Sequence, residues 1–129
     1  MEPAFQTQSL GRLLIVDDDQ GVVAMMVDSF ADQGVEVTVA YDGEQAIRSA
    51  EHAPPDVVLL DITMPGKDGV EVLRELRARW PTLRVIMVSG NGDEDLARAT
   101  LKLGAFDYVA KPFAWSRLQE SVFAALAQA

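Results

Sequence analysis

Residues 12–20 read RLLIVDDDQ: four aliphatic side chains, Leu13 to Val16, run straight into Asp17, Asp18 and Asp19. A short, continuous apolar run bounded by polar residues fits a strand covered on both faces, the habit of parallel sheets packed between helices. Two later stretches repeat it, VVLL (57–60) stopping at Asp61 and VIMV (85–88) stopping at Ser89. Polar groups therefore collect at the ends of buried strands, and both the fold and the chemistry are read outward from that pattern.

The segments between these runs read as helices and turns. Val23, Met26, Val27 and Phe30 fall at helical spacing, with Asp19 as N-cap and Gly34 as a stop. Val35, Val37 and Val39 then alternate with Glu36 and Thr38, as in a half-exposed strand near a sheet edge. Asp42 and Gln45 form a capping-box pattern before Ala46, Ile47 and Ala50. After Asp61 comes the turn-rich ITMPGKDG, then a helix capped by Asp68 and Glu71, with Glu75 and Arg79 spaced to pair before Pro81 stops it. SGNGDED leads to a helix with Leu96, Thr100 and Leu103, ending at Gly104, where Arg98 and Lys102 complement its negative end. FDYVA is a short fifth strand, and after KPF a last amphipathic helix carries Leu118, Val122, Ala125 and Leu126, with Ser116 and Gln119 near its start.

Strands alternating with helices require long crossovers, so the expected fold is α/β: five parallel strands in the order 2-1-3-4-5 with helices on both faces, doubly wound in the flavodoxin manner. The half-exposed second strand takes an edge. Ligands in such sheets bind beyond the strand C-termini, at the switch point between strands one and three. Asp17 and Asp18, Asp61, Ser89 and Lys111 are thereby expected on one rim.

Composition narrows what that rim can serve. The 129 residues suit a single domain, with residues 1–11 as a tail and 12–129 as the folded unit. At 49% hydrophobic the chain is too apolar for disorder, and its net charge of -9 argues against direct nucleic-acid binding and for cations or basic partners. There is no Cys, so thiolate metal sites and disulfides are excluded. The opening MEPAFQTQS lacks the features of a signal peptide, and no apolar run approaches the ~20 residues of a membrane helix, so the expected location is cytoplasmic. Three aspartates after the first strand would repel a nucleotide phosphate. They suit a hard cation such as Mg²⁺, which needs only one or two carboxylates and keeps its waters. An EF-hand does not fit, because Gly21 and Val22 fall where a ligand and the turn glycine belong. A carboxylate, a metal, an amine and a hydroxyl together can stabilise a phosphoryl group in transfer to Asp61.

With LLIVDDDQ, VVLLDITMPGKDG, VIMVSGN and FDYVAKPF in this order and spacing, the chain resembles a response-regulator receiver domain from about Arg12 to its end. The resemblance implies a two-component signalling domain, not an enzyme in its own right, that assists its own phosphorylation and dephosphorylation. Asp61 would be the phosphoacceptor, Asp18 a direct Mg²⁺ ligand, Asp17 a ligand through water, and the main-chain carbonyl of Thr63 a further ligand. Lys111 would bind one phosphoryl oxygen and Ser89 another, with Tyr108 the aromatic that moves with Ser89. The Lys111-Pro112 bond would be cis. Thr63 and Asn91 would sit where the family varies access to the acyl phosphate, and Gly90 where Ala is frequent. The implied partners are a histidine kinase or phosphotransfer protein and an unidentified downstream target or fused output domain. The switched face would be that of the fourth helix, fifth strand and fifth helix. There Asp93, Glu94, Asp95, Arg98, Lys102, Asp107 and Arg117 offer charge pairs for a target or a phosphorylation-dependent homodimer.

Two other readings use the same residues. A haloacid-dehalogenase-like phosphatase also has a strand-end Asp, but carries a second Asp two residues later, where this chain has Thr63. A receiver-like adaptor that binds proteins without phosphorylation would not need the acidic set, Ser89 and Lys111. His52 reads as an exposed polar residue and most methionines as core.

Overall fold

A computed structural model of the chain describes residues 9–62, 64, 68–90 and 94–129. The parallel strands are β1 (Arg12–Val16), β2 (Glu36–Ala40), β3 (Val57–Asp61), β4 (Arg84–Ser89) and β5 (Asp107–Ala110). They alternate with α1 (Gln20–Asp32), α2 (Gly43–His52), α3 (Gly69–Arg79), α4 (Glu94–Lys102) and α5 (Trp115–Gln128). The sheet order is β2-β1-β3-β4-β5, the order the alternation predicts.

Because side chains alternate across a strand, each buried run feeds two cores. Leu14, Val16, Val58, Leu60, Val85 and Met87 face α2, α3 and α4, packing with Ile47, Leu73 and Leu76. Leu13, Ile15, Leu59, Ile86 and Val88 face α1 and α5, against Phe30, Leu118 and Val122. The β1, β3 and β4 registers are continuous (Val16↔Leu60, Leu60↔Met87), which aligns their C-terminal ends. β2 lies at an edge, with Val37 and Val39 half-buried and Glu36 and Thr38 exposed.

The caps follow the sequence in most places. Asp19 accepts from the N–H groups of Gly21 and Val22, Asp42 from that of Gln45, and Asp68 from that of Val70. Gln45 completes its box one residue early, accepting from the Tyr41 N–H. Glu75 and Arg79 pair at 3.7 Å. At α5 the cap position is Ala114, which makes no side-chain bond, and Ser116 lies inside the helix instead of capping it. The Lys111-Pro112 bond is cis. Met26, Met64 and Met87 are core, whereas Met25 is 64% exposed on the outer side of α1. His52 is exposed at the end of α2.

Candidate functional site

Four strand ends build the site. The Asp17 N–H donates to Ala40 O, which carries the β1–β2 ladder one residue past Val16 and fixes Asp17 at the rim. Asp61 is the last residue of β3 and Ser89 of β4. Lys111 follows β5, and its N–H donates to Ser89 O at 2.6 Å. Asp17, Asp61 and Ser89 are buried, while Asp18 is exposed. Buried carboxylates are costly unless paired, so this concentration marks a place where local stability yields to another demand.

The charges meet as the sequence reading expects. Lys111 Nζ stands 3.7 Å from Asp17 Oδ2 and 3.8 Å from Asp61 Oδ2, ion pairs beyond hydrogen-bond length. Asp17, Asp18 and Asp61 each offer a carboxylate oxygen within 4.8 Å of the others. Among the described residues, one amine therefore pairs with two of three clustered acids. Burial raises the Asp17 carboxyl above its ordinary range, and the charges of Asp61 and Asp18 act the same way. The Asp19 N–H, which donates to Asp17 Oδ1 at 2.9 Å, and Lys111 oppose the rise. An all-oxygen donor set with surplus negative charge, partly open through Asp18, fits a hard divalent cation such as Mg²⁺. Thr63 and Asn91 lie outside the described residues, as does Asp93.

Tyr108 is half-buried on β5 beside Met87, packed on the α2–α4 side of the sheet with Leu96 and Leu103 of the α4 region. Of the neighbouring charges expected to offer pairs to a target or a second copy, four pair within the molecule. Asp95 pairs with Arg98 within α4 at 2.7 Å. Asp107 takes both arms of Arg117 at 3.0 and 3.1 Å, and Ser121 donates to it at 2.7 Å. These four charges are already matched inside the molecule because their side chains reach one another on the same or adjacent elements. Burial acts to raise the Asp107 carboxyl, but the bonds from Arg117, Ser121 and the Tyr108 N–H outweigh it and hold the group below its usual range. Sequence reasoning did not find this network, since a ten-residue separation between strand and helix leaves no periodic signal.

A family model described as the response regulator receiver domain matches residues 13–123. Among curated proteins, the chain is 42% identical over 115 residues to the transcriptional regulatory protein PrrA of Mycobacterium tuberculosis, covering 89% of this chain and 49% of that protein. It is 41% identical over 105 residues to the regulatory protein AtoC of Escherichia coli, covering 81% of this chain and 23% of that protein. It thus spans half or less of these relatives. The crystal structure of the receiver domain of NtrX from Brucella abortus superposes with a TM-score of 0.85 at 32% identity, over 91% of this chain and 99% of that one.

Proposed function

Because this chain belongs to the response regulator receiver domain family, a family of signalling domains, we propose that Asp61 is its phosphoacceptor. The donor is a histidine kinase, a phosphotransfer protein or a small acyl phosphate. The observation that carries this reading is the meeting of the Asp17, Asp18 and Asp61 carboxylates with the Lys111 amine on one rim. An oxygen of the Asp61 carboxylate forms the new bond to phosphorus as the bond to the donor's nitrogen or oxygen breaks, the electron pair leaving with the donor.

Asp17, Asp18, Asp61 and the Thr63 carbonyl would hold Mg²⁺, which supplies neutralisation of charge on the transferring oxygens. Lys111 neutralises a second phosphoryl oxygen, having relaxed from its two carboxylates by a short movement of a flexible side chain. The Ser89 hydroxyl donates to a third. That bond exists only in the phosphorylated state, so it biases the fold toward a conformation in which Ser89 and Tyr108 shift and the face of α4, β5 and α5 is remodelled. The partner reading that face, whether a target, a fused output domain or a second copy, belongs to this proposal, as do a cytoplasmic location and the receiver boundaries 12–129. The phosphatase alternative is disfavoured by Thr63 in place of an acid. Intact-mass measurement after incubation with acetyl phosphate and Mg²⁺ tests the assignment: one phosphate is expected on the wild type and none on Asp61→Asn. Equal labelling of both removes Asp61 from its role.

A further inference from the structure

The backbone leaving Asp61 is confined from more than one direction. The Ile62 N–H donates to Val88 O of β4 at 2.9 Å, which ties that peptide to the sheet. Gly69, the first residue of α3, is buried against the same peptide. A Cβ at Gly69 would stand 2.7 Å from Ile62 Cα and 3.0 Å from the carbonyl oxygens of Asp61 and Ile62. These are backbone atoms, which do not swing aside as a side chain does. Nor is glycine needed here for its own conformation, because among the described residues the positive-φ glycines are Gly11, Gly34 and Gly104. Proximity to the rim alone does not demand glycine either: at Gly90, beside Ser89, an added Cβ meets nothing within 4 Å among the described residues.

We propose that Gly69 is a positioning residue for Asp61: the absence of a side chain lets the first turn of α3 lie on the Asp61–Ile62 backbone and hold the carboxylate in register with Asp17 and Asp18. The proposal rests on the phosphoacceptor reading of Asp61. A methyl group at Gly69 must displace either α3 or the strand end. The bond from Ile62 to β4 resists the second without preventing it. Asp17 and Asp18 hang from β1 and do not follow such a shift, so the three carboxylates lose their common geometry. Misplacement on the order of 1 Å costs up to about 100-fold in a positioned reaction.

The test compares wild type, Gly69→Ala and Val72→Ala, the last removing buried volume from the same helix while adding no atom against the Asp61–Ile62 backbone. Two quantities are measured: the rate of phosphate uptake from acetyl phosphate by intact mass, and the Mg²⁺ concentration giving half the metal-dependent rise in Tm without donor. Gly69→Ala is expected to label roughly tenfold or more slowly and to need more Mg²⁺. Val72→Ala is expected to lower the metal-free Tm with an unchanged Mg²⁺ midpoint. A wild-type rate and midpoint in Gly69→Ala overturn the proposal, as does an equal shift in Val72→Ala. Should Gly69→Ala not fold, Asp68→Ala loosens the same turn by removing the bond to the Val70 N–H, and wild-type behaviour there overturns it. If the wild type takes up no phosphate, the phosphoacceptor reading fails, while the Mg²⁺ midpoint still decides whether Gly69 positions the carboxylate.

Discussion

Asp17 and Asp18 are neighbours in sequence with different surroundings, one buried and bonded to the Asp19 N–H, the other open to solvent. Asp18 is therefore the carboxylate that a cation reaches with least desolvation. Asp18→Ala should abolish the Mg²⁺-dependent rise in Tm while raising the metal-free value, because it removes one of three mutually repelling acids. Calorimetry with and without Mg²⁺ checks this, and an undiminished response excludes Asp18 as a ligand. Asp107 gives a second residue-level expectation. Its carboxyl is held below the usual range, so its ionised form stabilises the fold at neutral pH, and this contribution is lost as pH falls through the folded-state value. Asp107→Asn should lower Tm at pH 7, and the difference from wild type should narrow on acidification below about pH 4, where the unfolded state takes up the proton before the folded one, and vanish once pH has fallen through the lower folded-state value. Asp17, Asp61 and Lys111 were legible in the sequence because each sits at the end of an apolar run, a position that strand periodicity fixes. Gly69 and the Arg117–Asp107 pair were not. The first is specified by a distance between backbones and the second by the facing of α5 on β5, neither of which has a period.

α5 illustrates how an element survives a weak start. Its N-cap is Ala114, whose side chain offers the first turn no acceptor, so that the Arg117 N–H turns to the Ala114 carbonyl at 2.9 Å. Arg117 in that turn instead anchors the helix to β5, reaching Asp107 with both arms and donating to Tyr108 O at 3.3 Å. At the other end Arg84 of β4 donates to Gln128 O at 3.2 Å. Tertiary bonds thus replace the missing cap. Ala114→Ser should stabilise the protein by about 1 kcal/mol, read as a higher denaturant midpoint at unchanged slope. No gain would mean that the anchors already fix the turn. An alanine before the helix lacks a capping group by residue type alone; its compensation has no such signal, because it comes from residues of two different strands.

Across the whole molecule, the expected sheet order followed from three buried runs and one alternating strand, and it holds because residues facing alternately up and down supply two cores from one strand set. The proposed face spans this division at the β5 edge, with α4 on one side of the sheet and α5 on the other. Tyr108 and Leu96 pack on the side of α2 to α4, whereas Phe30 and Val122 hold α1 and α5 on the other. With a beryllofluoride mimic of the phosphoryl group, amide exchange should change across Leu96 to Leu126 and stay constant in α1. Light scattering on the same samples reports whether a second copy binds. With Asp95, Arg98, Asp107 and Arg117 already paired internally, apolar contacts around the exposed Leu101 would carry more of any dimer than charge would. The two tryptophans sit at opposite poles. Trp115 begins α5 just past Lys111 and packs 5.3 Å from Phe30, while Trp80 ends α3 beneath the guanidinium of Arg79 at 4.7 Å. Each is half-buried, so the domain carries its own pair of optical probes: single Trp→Phe variants would assign emission to the cation-binding pole or to the far one, and let a stopped-flow trace time the two ends separately.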